Sequence, residues 1–302
     1  KTNIFTETSQ GAEALVRWIH PEKGMISPGR FIPIFESNGF IGQLDYYMWD
    51  HTCRLIRKWI DEGLKPSPVS VNVSRANMYN PNLLEELLGL MKKHDLSPEL
   101  LQLELTESAF MDDPDIMIER VKTLQENGFT VLMDDFGSGY SSLNTLKDIP
   151  VDILKVDMKF MQNDKDGDGR SERILASIVR MAEWLDLMVI VEGVETVEQR
   201  NFLESIGCEY AQGFYYARPM PWQEYEDMLR SSGKSGVVEK EIPETGGVSA
   251  IIHEIWEIHP RLEKMFHTIM RPVAICQYDE KDDQSNDEIE HGQALGLALA
   301  TL

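Results

Sequence analysis

Adjacent carboxylates are the first chemistry this chain offers. In VLMDDFGSGY, residues 131–140, an apolar run ends in Asp134 and Asp135 and passes into a loop holding Gly137 and Gly139. Two neighbouring aspartates cannot leave water together without cations or hydrogen-bond donors to balance them. The glycines allow the backbone beyond them to turn closely about a ligand. The same letters also fit an acidic turn capping a helix that opens near Ser141, with Asp or Ser as N-cap. Whether other strands bring ligands to the same spot separates the two readings.

Strand-like and helix-like stretches alternate along the chain. Strands are expected over Ala12–Trp18, Pro68–Val73, Leu100–Leu105, Thr130–Met133, Asp152–Val156, Met188–Val191 and Glu209–Gln212. Helices are expected over Pro28–Asn38, Ile41–Glu62, Pro81–His94, Pro114–Asn127, Ser141–Leu146, Glu172–Leu185, Val197–Ile206 and Trp222–Leu229. Such alternation predicts an α/β fold with a parallel sheet and helical crossovers. The strands number seven, where a (β/α)8 TIM-type barrel takes eight.

Polar residues recur at one end of successive strands: Asn72, then Glu104 and Glu107, Asp134 and Asp135, Lys155 and Asp157, and Glu192 and Glu195. In a (β/α)8 barrel those ends converge on one mouth, where active sites of that fold lie. Carboxylates and one amide, with no His or Cys cluster among them, suit Mg²⁺ or Mn²⁺ better than zinc. So many acids in one place repel one another unless cations are bound. Two divalent ions about 4 Å apart would clamp both oxygens of a phosphoryl displacement and acidify a bridging water. Lys155 could hold that water or offset charge developing on phosphate.

Composition limits the alternatives. A chain of 302 residues with 42% hydrophobic content can bury one large core, as a barrel does, or two modest ones. A formal charge of −22 argues against polymeric nucleic acid as partner. No apolar run reaches membrane-spanning length and no signal-peptide pattern opens the sequence, so a cytoplasmic protein is expected. Three scattered cysteines, Cys53, Cys208 and Cys276, make no disulfide framework.

At these residues the chain resembles the EAL-domain family of bacterial cyclic di-GMP phosphodiesterases. Glu13-Ala14-Leu15 stands within EALVRW, Asn72 within SVNVS, Glu104 and Glu107 within ELTES, Lys155 within LKVD, and Glu192 and Glu195 within EGVE, with DDFGSGYS and Gln212-Gly213-Phe214 in the same order. The match covers about residues 11–230. The resemblance implies an EAL-type (β/α)8 barrel that hydrolyses cyclic di-GMP to linear pGpG with Mg²⁺ or Mn²⁺, two per site. It implies that Glu13, Asn72, Glu104 and Asp134 hold one metal, and Asp134 and Asp135 the second. Glu192 resembles the family carboxylate that binds the metal and its water, Lys155 the catalytic lysine, and Gln212 a residue supporting the hydrated site. Arg17 is similar to the arginine facing the substrate phosphate, and Glu107 to the glutamate ordering the loop after Asp135. Leu15, Asp157 and Glu195 join the implied substrate contacts, Phe35 and Glu36 border the guanine pocket, and a homodimer is implied. The alternative is a catalytically silent EAL-type receptor for cyclic di-GMP. A two-metal phosphatase acting on another substrate would use the same ligands.

Two departures from the family pattern stand out. Ser138 replaces the more usual threonine, and Lys1–Gly11 lacks the tyrosine-glutamine-proline motif of the first strand. Either a short strand over Asn3–Thr6 stands in for it, or the chain is an excerpt with an upstream sensory or cyclase domain; the first strand is atypical or truncated. The domain plan is a barrel over 1–230, a linker over 231–247 and a small α-rich, acidic C-terminal appendage over 248–302. Other features read as ordinary. Asp164–Gly169 opens like an EF-hand loop but carries Leu175 at the twelfth position. HEIWEIH, with His253 and His259, lacks zinc-protease spacing. Tyr46, Tyr47, Trp49, Ile56 and Trp59 are expected to pack against the barrel.

Overall fold

A computed structural model of the protein describes residues 1–111, 113–137, 149–158 and 169–232. The strands are β1 (Thr2–Asn3), β2 (Ala12–Ala14), β3 (Trp18–His20), β4 (Gly24–Ile26), β5 (Val69–Asn72), β6 (Leu101–Thr106), β7 (Thr130–Asp134), β8 (Ile153–Asp157), β9 (Met188–Glu192) and β10 (Tyr210–Ala211). The helices are α1 (Pro28–Asn38), α2 (Ile41–Asp61), α3 (Arg75–Met78), α4 (Leu83–His94), α5 (Pro114–Glu126), α6 (Arg170–Trp184), α7 (Val197–Ser205) and α8 (Trp222–Ser232). One eight-stranded sheet runs in the order β1-β10-β9-β8-β7-β6-β5-β2. From β2 to β10 its neighbours pair in parallel, whereas β1 pairs antiparallel with β10. Two hydrogen bonds, Asn3 N to Thr8 O and Gln10 N to Lys1 O, both 2.8 Å, join β1 to the segment leading into β2. The sheet's two edges thereby meet, giving a TIM-type (β/α)8 barrel with one reversed strand.

Alternation along each strand sorts the side chains. Val69, Val71, Leu103, Leu105, Val131, Met133, Leu154, Val156, Val189 and Val191 face outward into the core shared with the helices. The inward set differs from them: Leu132, Ile153, Ile190 and Tyr210 form their own apolar cluster, and Ser70, Gln102, Glu104 and Lys155 are buried polar residues. Local signals fix where several helices begin. Asp113 caps α5 by accepting from Ile116 N with Pro114 in the first turn, and Thr196 with Gln199 forms a capping box on α7.

Several expected elements take other bounds. The strand expected over Ala12–Trp18 ends at Ala14, and Trp18–His20 pairs instead with Gly24–Ile26 as a separate hairpin. There Trp18 and Ile26 bury themselves on α1 with Phe31 and Phe35, which pulls them out of the barrel wall. The strand expected over Asn3–Thr6 is Thr2–Asn3; Asn3 Oδ1 accepts from Phe5 N and Thr6 N, an Asx turn that stops it. The helix expected over Pro81–His94 starts at Leu83 and is preceded by short α3, while Glu209–Gln212 narrows to Tyr210–Ala211. Helix α8 takes in Ser231 and Ser232, expected in the linker. Of the aromatic stripe, Trp49, Ile56 and Trp59 are buried, but Tyr46 is exposed and Tyr47 stacks on His51. Ser138, the Ser141–Leu146 helix, most of the EF-hand-like loop, the rest of the linker and the C-terminal appendage lie outside the described residues. No described helix is long and apolar enough to cross a membrane.

Candidate active site

Parallel register lifts the expected residues to one end of the barrel. Asn72 lies beside Glu104, Thr106 beside Asp134, and Asp157 beside Glu192. Because inward positions alternate, Glu104, Lys155 and Glu192 all project inside.

The centre of the site is the ammonium of Lys155, whose side chain is 1% exposed. Its Nζ lies 2.7 Å from Glu104 Oε2, 2.7 Å from Glu192 Oε1, 3.1 Å from Asp134 Oδ1 and 3.4 Å from Glu13 Oε2. Four strands thus converge on one cation. Gln212 Nε2 donates to Glu13 Oε2 at 3.1 Å. Its place rests on Gly213, where an added Cβ would collide with the backbone of Val194.

One ammonium cannot neutralise four carboxylates, and the proton affinities divide accordingly. Burial disfavours every charge here, yet the acids around Lys155 hold its pKa well above the ordinary lysine value. Glu104 also resists burial, and Lys155 and Lys1 hold it down at about 2. Glu192 and Glu13 go the other way: burial and the neighbouring acids push both up. A fifth of the Glu192 side chain reaches solvent, 21%, but Oε1 itself is sealed against Lys155.

Behind Glu104 lies a residue whose role no motif announces. Lys1 Nζ donates to Ser70 Oγ at 2.8 Å and to Gln102 Oε1 at 3.0 Å, and stands 3.2 Å from Glu104 Oε1. Burial lowers its pKa, with Glu104 pulling in the opposite direction. Only the alternation in β5 and β6, which turns Ser70 and Gln102 inward, hinted at a polar layer there.

The turn after β7 is held from two sides. Glu107 Oε2 accepts from Gly137 N at 3.0 Å, and Phe136 N donates to Lys155 O at 3.1 Å. Just before them Asp135 takes a left-handed φ of 57°, a conformation Asp tolerates better than most residues. Asp134 Oδ1 accepts from Asp135 N at 3.0 Å.

Not every expected residue enters the cluster. Asn72 and Glu195 are exposed at the rim, and Asp135 is exposed as well. Leu15 and Asp157 are half-buried. Arg17 turns its Nη1 to the neighbouring Val16 O at 2.8 Å. Phe35 is packed among Trp18, Phe31 and Phe40, while Glu36 next to it is exposed.

The donor set fits hard divalent cations. Four carboxylates outnumber the ammonium of Lys155 that they share, and Gln212 Oε1 is buried without a partner among the described residues. In the described arrangement the acids close on Lys155, and no three acid, His or Cys side chains among the described residues are spaced around a metal-sized point. Glu13, Glu104, Asp134 and Glu192 are the residues that could hold a metal by exchanging contacts with the ammonium.

Known proteins are similar to this chain. The chain is 39% identical over 211 residues to the bifunctional diguanylate cyclase/cyclic di-GMP phosphodiesterase MucR of Pseudomonas aeruginosa, covering 70% of this chain and 31% of MucR. It is 40% identical to the cyclic di-GMP phosphodiesterase NbdA of the same organism, covering 72% of this chain and 28% of NbdA. The chain therefore spans under a third of the length of these relatives. The solved structure of the PaMucR phosphodiesterase in complex with c-di-GMP superposes with a TM-score of 0.69 at 37% identity, covering 74% of this chain and 90% of that one. The EAL domain family matches residues 3–219, and the chain belongs to that family.

Proposed function

We propose that this chain is a metal-dependent phosphodiesterase that opens one phosphodiester of cyclic di-GMP to give pGpG. The observation that carries the reading is the cage of four carboxylates on Lys155 at the barrel mouth, in a chain whose relatives are named for that activity. Two bound Mg²⁺ or Mn²⁺ ions would supply Lewis-acid polarisation and an acidified water.

The chain's own residues do the rest. Glu13, Asn72, Glu104, Asp134, Asp135 and Glu192 are the oxygen ligands. Lys155, kept charged by its acids, orients the attacking water and offsets charge on the phosphate oxygens. Glu192 and Glu13, whose proton affinities are raised, release protons when cations take their place. Glu107 fixes the Asp134-Asp135 turn through Gly137 N. Arg17 swings from Val16 O to the substrate phosphate, with Leu15, Asp157, Glu195 and Gln212 lining the nucleotide. The chain acts in the cytoplasm as a homodimer.

Turnover of cyclic di-GMP, followed by chromatography with Mg²⁺, Mn²⁺ or EDTA, tests this. Metal-dependent pGpG from the native chain, lost in Glu13→Ala and Lys155→Ala, is the expected result. Tight binding of intact substrate without product would replace the enzyme by a receptor.

A further inference from the structure

Helix α2 carries an acid where its pattern calls for an apolar residue. Its buried stripe runs Ile41, Asp45, Trp49, Thr52, Cys53, Ile56, Trp59, the spacing of one helix face. Asp45 and Trp49, one turn apart on that stripe, both reach polar groups of the segment that leaves β5. Trp49, fully buried, donates from Nε1 to Asn72 O at 3.0 Å. Asp45 Oδ2 accepts from Ser74 N at 2.7 Å and from Asn77 Nδ2 at 2.9 Å. Ser74 in turn caps α3 by accepting from Asn77 N, and Asn77 Nδ2 also reaches back to Gly42 O at 3.4 Å. Val73 N, between the two held residues, is bonded to Glu104 O at 2.9 Å. The backbone that follows the Asn72 side chain is therefore fixed from the helix layer at Asn72 O and Ser74 N, while the side chain itself is left exposed at the mouth.

We infer that Asp45 and Trp49 are positioning residues, a clamp that presents the Asn72 amide oxygen toward a divalent cation at the mouth. Core packing alone explains a buried tryptophan but not a buried aspartate on the same stripe, since an unpaired acid there is costly and Leu would fill the space. The two hydrogen bonds end on Asn72 O and, two residues on, Ser74 N, and Asn72 is a ligand in the proposed function, on which this inference rests. An amide ligand whose strand end is pinned loses less entropy when a cation binds.

The test is direct Mn²⁺ binding to the full chain, read by calorimetry and by the EPR signal of free Mn²⁺, for native, Asn72→Ala, Trp49→Phe, Asp45→Asn and the Asn72→Ala/Trp49→Phe double variant. Trp49→Phe keeps the ring volume and removes one donor; it should weaken Mn²⁺ about three- to tenfold, the scale of one neutral hydrogen bond. The same substitution in the Asn72→Ala background should change nothing further, because the clamp then has no ligand to aim. Asp45→Asn, which replaces the charged acceptor of Ser74 N and Asn77 Nδ2 by a weaker neutral one, serves as the second single variant should Trp49→Phe fold poorly, and should weaken Mn²⁺ in the same sense. Asn72→Ala weakening Mn²⁺ while Trp49→Phe and Asp45→Asn leave it unchanged, or effects that add in the double variant, would overturn the clamp alone. Unchanged Mn²⁺ affinity in Asn72→Ala would overturn Asn72 as a ligand, and the clamp with it.

Discussion

Below the mouth, the two sides of the barrel are filled in opposite ways. Strands β7 to β10 turn Leu132, Ile153, Ile190 and Tyr210 inward as an apolar plug. Strands β2, β5 and β6 turn in Glu13, Ser70, Gln102 and Glu104, threaded by the side chain of Lys1. Lys155 stands where the halves meet, from the apolar side's β8 but bonded to acids of both. The apolar half stabilises by removing surface from water. The polar half costs desolvation and returns a Glu104 carboxylate with an ammonium near each oxygen, ionised and fixed in plane before any ligand arrives.

Removing the joint between the halves should have the largest effect. Lys155→Met leaves the four carboxylates without their common cation, and breaking a buried pair on one side costs about 3–5 kcal/mol. In EDTA the variant should unfold at far lower denaturant than the native chain at pH 8 and approach it at pH 5, where the acids take up protons instead. Equal denaturation midpoints at pH 8 would mean that the acids are neutralised by something other than Lys155.

The contrast between halves was unevenly legible in the sequence. The mouth was readable because acids recur at strand ends in motifs whose letters survive any shift of element bounds; Glu104, Asp134, Lys155 and Glu192 could be placed by strand order alone. The β3–β4 hairpin was not, because Ala12 to Trp18 holds no turn residue to break the strand and only tertiary burial on Phe31 and Phe35 decides that Trp18 leaves the wall. Lys1 was illegible for a different reason. Its partners, Ser70 and Gln102, are distant in sequence and chemically unremarked, so only the closing of the barrel brings them to 2.8 and 3.0 Å. Asp45 could have been found as the one acid on the buried face of α2, a local conflict of the kind that marks function or a special partner.

Truncations on the two sides sharpen the comparison. Leu132→Ala empties part of the apolar plug, and a buried Leu to Ala change costs about 2–5 kcal/mol. Ser70→Ala removes one acceptor for Lys1 Nζ and one donor to Ala12 O, worth about 1 kcal/mol. Chemical unfolding should rank them in that order. Turnover should rank them in reverse when both are assayed well below their melting temperatures, because Ser70 supports the lysine behind Glu104 and Leu132 touches no site residue by hydrogen bond. A Leu132→Ala enzyme slower than Ser70→Ala would show that the plug positions the site as much as the polar layer does.

The pH profile of stability separates the halves without touching the plug. Glu104, held at about 2 against an ordinary 4.5, adds stability that is complete above 4.5 and is lost as pH falls toward 2. Glu13 and Glu192 have the opposite sign, because burial and neighbouring acids raise them. Above 4.5 the unfolded chain has released these protons while the folded chain still holds them, so stability falls as pH rises until the folded values are passed. Each such carboxyl contributes a slope of at most about 1.4 kcal/mol per pH unit. Urea unfolding in EDTA from pH 4 to 8 should therefore give a declining curve for the native chain and a shallower one for Glu192→Gln, while Leu132→Ala should lower the curve without changing its slope. Mg²⁺ should flatten the native curve, since a cation at the acids displaces the retained protons in the folded state. Parallel curves for native and Glu192→Gln would mean that Glu192 ionises normally against Lys155, and that the proton retained by the folded chain rests on Glu13 alone.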